Sequence, residues 1–204
     1  MAIEQLIWWV DIIGTGVFAI SGALLARRKQ MDVIGYLFIG TLTGVGGGTL
    51  RDLLLGQDIF WIQDPLYLFV TAGFSIATFL VTAQAHQLMR LLIWFDAVGL
   101  ALFTVLGAQK SIELGVSYPV AILMGVMSAT FGGIMRDVVC NDIPVMLRKE
   151  IYISASLCGA IVFVVGHHWW GPSLLVTLLA FATALFARAI GIIFKLQLPI
   201  RKSE

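Results

Sequence analysis

Long apolar runs are the feature of this sequence that most constrains its fold. Each run is about 20 residues long, the length that an α-helix needs to cross a hydrocarbon core about 30 Å thick. Charged residues make up only 12% of the chain, whereas a soluble domain usually carries about a quarter. The sequence therefore predicts an all-α membrane protein in which residues 1–204 form a single transmembrane domain.

Charged residues, prolines and glycines divide the chain into seven predicted transmembrane spans. The first apolar run is followed, rather than preceded, by the cationic residues 27–29, so we interpret it as a retained helix and not as a signal peptide. The short linkers leave no room for a soluble domain. The predicted spans cover residues 5–26, 33–55, 65–84, 91–109, 118–140, 150–166 and 172–194.

Lysine and arginine residues are distributed unevenly between the two sides of the predicted bundle. Nine fall on one side, and Lys110 alone falls in a linker on the other. Because such residues accumulate on the cytoplasmic side, we expect the N-terminus to lie outside the cell and the C-terminus in the cytoplasm. The nine residues are Arg27, Arg28, Lys29, Arg90, Arg148, Lys149, Lys195, Arg201 and Lys202.

The sequence repeats itself at an offset of 85 residues. Each copy contains three spans, an odd number, so the second copy must enter the membrane from the opposite face. We therefore predict an inverted 3+3 repeat plus one extra helix, an arrangement common in transporters. Repeat 1 covers about residues 5–84, repeat 2 about 91–166, and the seventh helix about 172–194. The aligned pairs include Asp11 with Asp96, Gly14 with Gly99, Phe18 with Phe103, Gly47 with Gly132, Gly48 with Gly133, Arg51 with Arg136, Asp52 with Asp137 and Tyr67 with Tyr152.

Glycine clusters interrupt the second and fifth spans. Each glycine weakens a helix by roughly 1 kcal/mol relative to alanine, so we expect helices 2 and 5 to break here and to line a pathway with backbone dipoles. The alternative is close packing, because glycines also let transmembrane helices approach each other. The residues of the predicted breaks are Gly46, Gly47, Gly48, Phe131, Gly132 and Gly133.

An arginine–aspartate pair follows each glycine cluster. A charged side chain at this depth costs at least roughly 2.5–3.5 kcal/mol, so it should face the bundle interior or water. Neighbours on a helix point about 100° apart, and we hypothesise that the pairs form across the repeats. The hypothetical pairs are Arg51 with Asp137 and Arg136 with Asp52. They either lock the two halves together or line and gate a pore.

Further polar candidates lie near the same spans. Asp11 and Asp96 enter the first and fourth spans, where they either contribute to the pathway or reach the membrane surface. Together with the two pairs, they give four aspartates against two arginines, an acidic excess that favours cations. Nearby hydroxyl groups either line the pathway or bind their own helix backbone. These hydroxyl candidates are Thr43, Thr49, Ser128 and Thr130.

Several classes of function have no support in the sequence. The net charge of +1 gives no bias towards nucleic acid. There is no nucleophile–base set, no ATP-binding motif and no metal-ligand spacing. We predict that the protein is not an enzyme, needs no cofactor, and binds no metal beyond transient monovalent cations.

The paired glycine motifs resemble those of prokaryotic trimeric intracellular cation (TRIC) channels. The resemblance rests on residues 44–52 and 131–137 and extends over nearly the whole chain. It implies a homotrimer in the bacterial inner membrane, surrounded by membrane lipid, with a potassium-permeable pore inside each protomer. It also implies kinks at the glycine motifs. The Lys-Glu-Val signature with which animal members bind a phosphoinositide is absent, so we do not expect that lipid dependence.

A monovalent cation channel, permeable to potassium, is the function that the sequence favours. The alternative is a secondary transporter for a small amino acid such as glycine, with the carboxylate bound by amides at a broken helix and the ammonium group by Asp52 or Asp137. Bacterial members of the group that the chain resembles are also labelled glycine transporters. A membrane scaffold would explain the spans but not the intramembrane arginine–aspartate pairs.

Overall fold

A computed structural model of the protein describes residues 2–81, 85–147 and 150–196. Within these ranges the chain is helical, with a 3₁₀ turn at Val145–Leu147. Four cations of the predicted charge asymmetry, Arg148, Lys149, Arg201 and Lys202, lie outside the described residues. The helices are α1 (Ala2–Arg28), α2 (Val33–Leu54), α3 (Phe60–Gln63), α4 (Leu66–Leu80), α5 (Ala85–Glu113), α6 (Tyr118–Val139), α7 (Ile153–Trp170) and α8 (Leu174–Phe194).

Six of the described helices are long and apolar enough to cross a membrane. The third predicted span is the exception, because α4 is apolar but has only 15 residues. At about 1.5 Å per residue it is roughly 22 Å long, less than the hydrocarbon core. The all-helical membrane class is thus confirmed, and the count of seven spans is not. The six segments are Ile7–Arg28, Val33–Leu54, Met89–Glu113, Tyr118–Val139, Ile153–Trp170 and Leu174–Phe194.

Both glycine clusters lie within uninterrupted helix. α2 and α6 each continue for 22 residues, and the clusters lie well inside both helices. The predicted helix breaks are therefore not confirmed. A continuous helix keeps its backbone amides and carbonyls bonded internally, which avoids the large cost of unsatisfied polar groups in apolar surroundings. Continuous helix runs through all six residues of the predicted breaks, which are Gly46, Gly47, Gly48, Phe131, Gly132 and Gly133.

The chain turns in the same way after α2 and after α6. The amide of Gln57 donates to the carbonyl oxygen of Asp52 at 2.8 Å, and the amide of Asp142 donates to that of Asp137 at 2.8 Å. In each turn the residue before the donor has a left-handed backbone, with φ of 63° and 53°. Donors and acceptors are both 85 residues apart, so the offset seen in the sequence is also present in the fold.

The centre of the bundle is a contact between α1 and α5. The rings of Phe18 and Phe103 stack there with their centroids 5.2 Å apart and their planes at 4°. A Cβ atom at Gly14 would touch the ring of Phe103, and one at Gly99 would touch the ring of Phe18. Such reciprocal contacts are those expected of two units related by an approximate two-fold axis.

α8 lies at the edge of the bundle and packs mainly against α7 and α5. Gly159 and Gly166 of α7 face Ala184 and Val176 of α8, and the two glycines let the helices approach closely. α4 is the helix of the first repeat that corresponds to α7 of the second. It packs against α1 and α2 and has few buried residues. Its outer face carries exposed apolar side chains such as Phe69.

Candidate functional site

α2 and α6 cross at their glycine clusters, backbone against backbone. A Cβ atom at Gly47 would overlap the carbonyl oxygen of Ser128, and one at Gly132 would overlap the carbonyl oxygen of Thr43. These contacts confirm the packing alternative, because only glycine allows the helices to be this close. Residue numbers rise along α2 as they fall along α6 through the contact, so the two helices run antiparallel.

The other residues of the clusters face different neighbours. A Cβ atom at Gly46 would lie 3.0 Å from the sulfur of Met135, which is flexible. A Cβ atom at Gly48 would press on the ring of Phe60, the first residue of α3. Phe131 is half-buried. The two glycines that meet backbone oxygens, Gly47 and Gly132, are therefore the positions that determine the helix crossing.

The candidate hydroxyl groups mostly bind their own helices. Thr43, Thr49 and Thr130 each donate to the carbonyl oxygen four residues earlier, at 2.6, 2.7 and 2.9 Å. Thr49 also accepts a bond from the indole nitrogen of Trp61 at 2.9 Å. The hydroxyl of Ser128 is buried and has no hydrogen-bond partner among the described residues. The three threonine hydroxyls therefore donate their protons to carbonyl oxygens of their own helices.

The first charged cluster lies at the C-terminal end of α2, and we call it the Asp52 cluster. Its members are Asp11, Arg51, Asp52, Tyr67 and Lys110. Arg51 Nε and Nη2 and Lys110 Nζ all lie 2.9 Å from Asp52 Oδ1. The Tyr67 hydroxyl donates to Asp11 Oδ2 at 2.8 Å, and Asp11 is within electrostatic reach of Arg51 and Lys110.

Asp52 also fixes the chain that follows α2. Its second oxygen accepts the backbone amide of Phe60 at 3.1 Å, which holds the start of α3 against the glycine cluster. The carboxylate of Asp52 is fully buried, whereas the side chain of Lys110 is 34% exposed. Lys110 is thus the member through which this cluster reaches the protein surface.

The second charged cluster lies at the C-terminal end of α6, and we call it the Asp96 cluster. Its members are Ser21, Asp96, Arg136, Asp137 and Tyr152. Arg136 Nη1 lies 2.8 Å from Asp96 Oδ1 and donates to the Ser21 hydroxyl at 3.0 Å, while Nε lies 2.8 Å from Asp137 Oδ1. All three charged side chains are at most 5% exposed. Asp137 Oδ2 accepts the amide of Val145 at 3.1 Å, as Asp52 does with Phe60.

The hypothesised ion pairs of Arg51 with Asp137 and of Arg136 with Asp52 are wrong. Arg51 binds Asp52 and Arg136 binds Asp137, each within its own repeat. The arginine side chain is long enough to bring its guanidinium group back to the neighbouring carboxylate, despite the angle of about 100° between adjacent positions on a helix. Because α2 and α6 run antiparallel, their C-terminal ends, and with them the two clusters, lie at opposite ends of the crossing.

Both candidate aspartates of the first and fourth spans are directed inward. Asp96 is 1% exposed and binds Arg136, and Asp11 is half-buried against Tyr67. The alternative, in which they simply reach the membrane surface, is therefore not observed. The antiparallel crossing thus has a cluster of aspartates and cations beyond each end.

Comparison with known proteins decides the family. A sequence model of the family described as Glycine transporter matches the chain twice, over residues 8–83 and 93–168. The UPF0126 inner membrane protein YadS of Escherichia coli K12 is 39% identical over 198 residues, 96% of each chain. The crystal structure of the TRIC trimeric intracellular cation channel orthologue from Rhodobacter sphaeroides is 42% identical and superposes with a TM-score of 0.90, covering 94% of this chain and 100% of that one. The chain belongs to the prokaryotic TRIC channel family.

A second structure from the family extends the likeness. A prokaryotic TRIC channel crystallised in 0.5 M KCl is 29% identical, with a TM-score of 0.89 over 96% of this chain and 100% of that one. The resemblance that the paired glycine motifs predicted is thus confirmed. The UPF0126 relatives from Escherichia coli and Vibrio cholerae are membrane proteins as well.

Four members of the two charged clusters were missed by sequence reasoning. Tyr67 and Tyr152 carried a signal, because they align with each other at the same offset as the charged pairs. Lys110 stood out as the lone cation on its side, but nothing in the sequence indicated that it binds Asp52. Ser21 had no distinguishing pattern, since its contact with Arg136 joins residues 115 apart in the chain.

Proposed function

We propose that this protein is a potassium-permeable monovalent cation channel, with the pore inside each protomer between the two inverted repeats. The observation that carries the proposal is the pair of charged clusters beyond the two ends of the α2–α6 crossing, which together hold more aspartates than cations. The likeness to solved structures of TRIC cation channels supports it. In this proposal an ion passes one cluster, the glycine crossing and then the other cluster.

The charge of the two clusters favours cations over anions. Four aspartates and three cations contribute to them, so the formal sum is one negative charge when all are ionised. Acidic linings select cations in channels generally. Solvent hardly reaches the side chains of Arg51, Asp52, Arg136 and Asp137. In this proposal the described conformation therefore corresponds to a closed state.

Lys110 is the residue that we expect to keep the Asp52 end closed. It joins α5 of the second repeat to α2 of the first through its 2.9 Å contact with Asp52, and it is partly accessible to water. Separation of this contact would free one carboxylate oxygen for a passing cation. The ion pair is partly exposed, so its loss shifts the opening equilibrium by about 1 kcal/mol.

Replacement of Lys110 by methionine is expected to increase potassium flux into liposomes about fivefold, since about 1 kcal/mol of closure is lost. The apolar stem is retained while the charge is removed. Lys110→Arg, which keeps the ion pair, serves as the matched control and should behave like the wild type. Unchanged or lower flux in Lys110→Met, with equal amounts of protein inserted, would contradict a closing role for this residue.

We place the protein in the bacterial inner membrane with its N-terminus outside and its C-terminus in the cytoplasm. The charge asymmetry supports this orientation, and the likeness to YadS, an inner membrane protein, supports the membrane. We also propose a homotrimer, because the similar Rhodobacter protein is a trimeric channel orthologue. α8 covers one side of α7, but no helix of the described residues covers the apolar outer face of α4 in the same way. This face of α4 is available for such an assembly.

A transporter for glycine is the second candidate, favoured by the description of the matching family model. That function needs backbone amides freed at a helix break to bind the carboxylate. α2 and α6 are continuous at their glycine clusters, so the expected amides are bonded within the helices. The geometry therefore favours the channel.

Flux measurements in liposomes distinguish the two candidates. Purified protein is reconstituted, and the entry of rubidium-86, a potassium substitute, is compared with the entry of labelled glycine. We expect non-saturating rubidium entry that follows the membrane potential, and glycine entry no faster than in empty liposomes. Saturable glycine entry coupled to a sodium or proton gradient, without rubidium flux, would replace the channel by the transporter.

A further inference from the structure

α3 lies against the Asp52 end of the glycine crossing. The ring of Phe60 faces Gly48, where an added Cβ atom would press on it. The same ring lies edge-on to the ring of Tyr67, with 4.6 Å between the centroids and 89° between the planes. Tyr67 donates to Asp11 Oδ2, and the amide of Phe60 donates to Asp52 Oδ2. One aromatic residue thus contacts the glycine crossing and is linked to both aspartates of the Asp52 cluster.

Two further hydrogen bonds hold α3 to its neighbours. Trp61 Nε1 donates to Thr49 Oγ1 of α2 at 2.9 Å, and Trp8 Nε1 of α1 donates to Asp64 Oδ2 at 3.3 Å. Asp64 directly follows the last residue of α3. Together with the contact between the Phe60 and Tyr67 rings, these bonds attach α3 to all three of the other helices in the first repeat.

α3 is nevertheless a segment that can separate from the bundle without disrupting the core. None of its four residues is fully buried, and residues 56–58, which precede it, are exposed. A Cβ atom at Gly56 would meet no atom of the described residues within 4 Å, so this connection is not packed. Segments with few buried contacts open locally at a much lower free energy than the core does.

The other end of the crossing is covered differently. Val145 corresponds to Phe60, and its amide donates to Asp137 Oδ2 in the same way, but its side chain has no ring and packs against the core. Gly133, which corresponds to Gly48, faces the hydroxyl of Tyr152, a residue that is 2% exposed. The cover of the Asp96 end is therefore part of the core, whereas the cover of the Asp52 end lies at the surface.

We propose that α3 is a movable lid and that the ring of Phe60 closes the Asp52 end of the ion pathway. The proposal rests on the proposed channel function and assigns its closing residue. An apolar ring at a narrow point of a pore blocks ions by excluding water. The lid binds Asp52 Oδ2 and Lys110 binds Asp52 Oδ1. Lifting of the lid removes the ring from Gly48 and leaves a carboxylate oxygen for a passing cation.

Rubidium-86 entry into liposomes tests Phe60 against a neighbour on the same helix. Phe60→Ala removes the ring and keeps the amide that binds Asp52, and we expect entry to rise about fivefold, equal to about 1 kcal/mol, as for the loss of an aromatic contact. Ile62→Ala is the matched control, because Ile62 is 57% exposed, and it should conduct as the wild type does.

A second variant keeps the test decisive should Phe60→Ala fail to fold. Trp61→Phe removes the hydrogen bond to Thr49 and keeps an aromatic ring. A typical net hydrogen bond is lost, so rubidium entry should rise by about threefold. Unchanged entry in Trp61→Phe, with equal amounts of protein inserted, would mean that the attachment of α3 does not control the pathway.

Thiol labelling of the purified protein in detergent follows the lid without any flux measurement. The two natural cysteines are replaced by serine, and Thr49→Cys places a reporter thiol beside the indole of Trp61. A water-soluble maleimide should modify this thiol faster when α3 is lifted more often. Phe60→Ala should therefore raise the labelling rate about fivefold, and Ile62→Ala should leave it unchanged.

Cys140 provides the control for general loosening of the bundle. It is buried at the end of α6, so its labelling is followed in a variant that retains it and carries Cys158→Ser. Phe60→Ala should leave the labelling of Cys140 as slow as in the otherwise unchanged protein. Equal acceleration at Cys140 and at the reporter thiol would mean that the whole bundle opens, which would overturn the lid.

Two further results would overturn the proposal. One is equal rubidium entry in the Phe60→Ala, Ile62→Ala and wild-type proteins, and the other is a reporter thiol that Phe60→Ala does not expose. Rubidium entry in the wild type that Phe60→Ala leaves unchanged contradicts the lid alone. Faster labelling of the reporter thiol without rubidium entry in any variant contradicts the channel and retains a movable α3.

Discussion

Replacing Gly47 by leucine is expected to reduce cation flux at least tenfold while the protein still inserts into the membrane. The new Cβ atom would overlap the carbonyl oxygen of Ser128, a backbone atom that cannot move aside without a shift of α6. Overpacking of this kind costs typically about 1–3 kcal/mol, enough to separate the two helices locally. Rubidium-86 entry into liposomes, normalised to inserted protein, measures the effect.

Ala182 provides the control for this substitution, because it is exposed on α8, the helix at the edge of the bundle. Ala182→Leu enlarges a side chain away from the crossing, so it should conduct as the wild type does. Gly132→Leu should reproduce the loss, because its Cβ atom would overlap the carbonyl oxygen of Thr43. Near-normal flux in both Gly47→Leu and Gly132→Leu would show that the crossing of α2 and α6 does not lie on the ion pathway.

Removal of the charge of Arg136 is expected to destabilise the protein more than any other single charge change. Arg136→Met keeps the apolar stem but leaves Asp96 and Asp137 buried together without a cation. Loss of one partner from a buried ion pair costs about 3–5 kcal/mol. We expect a large fall in the melting temperature in detergent, followed by tryptophan fluorescence, and a low yield of folded protein.

Arg28 is the control for this second prediction, because its ion pair is exposed. It binds Asp142 at 3.1 Å, with 44% of its side chain exposed, and an exposed pair contributes about 0–1 kcal/mol. Arg28→Met should therefore change the melting temperature little. Equal effects of Arg28→Met and Arg136→Met would mean that the buried ion pairs of Arg136 contribute no more to stability than the exposed pair of Arg28.

Much of the fold follows from patterns that depend on local sequence. Apolar length and charge distribution predicted the membrane-spanning helices, and only α4 was too short for its predicted span. The paired glycine motifs predicted the family. The offset that aligns Gly47 with Gly132 also relates the contacts that these residues make with Ser128 and Thr43.

The geometry of the glycine clusters could not be obtained in the same way. Helix propensity counts the cost of Gly46–48 to an isolated helix, but tertiary packing outweighs it. Whether a glycine breaks a helix or admits a neighbour depends on a segment about 85 residues away. The same limit applies to Asp52, whose second cation comes from Lys110 in the other repeat.

Single-channel recording in planar bilayers tests the central claim most directly. Purified protein is studied under a potassium chloride gradient, so that the reversal potential separates potassium from chloride current. We predict discrete current steps that reverse near the potassium equilibrium potential. Steps that reverse near the chloride potential would contradict cation selectivity, and the absence of current from protein that takes up glycine in liposomes would contradict the channel itself.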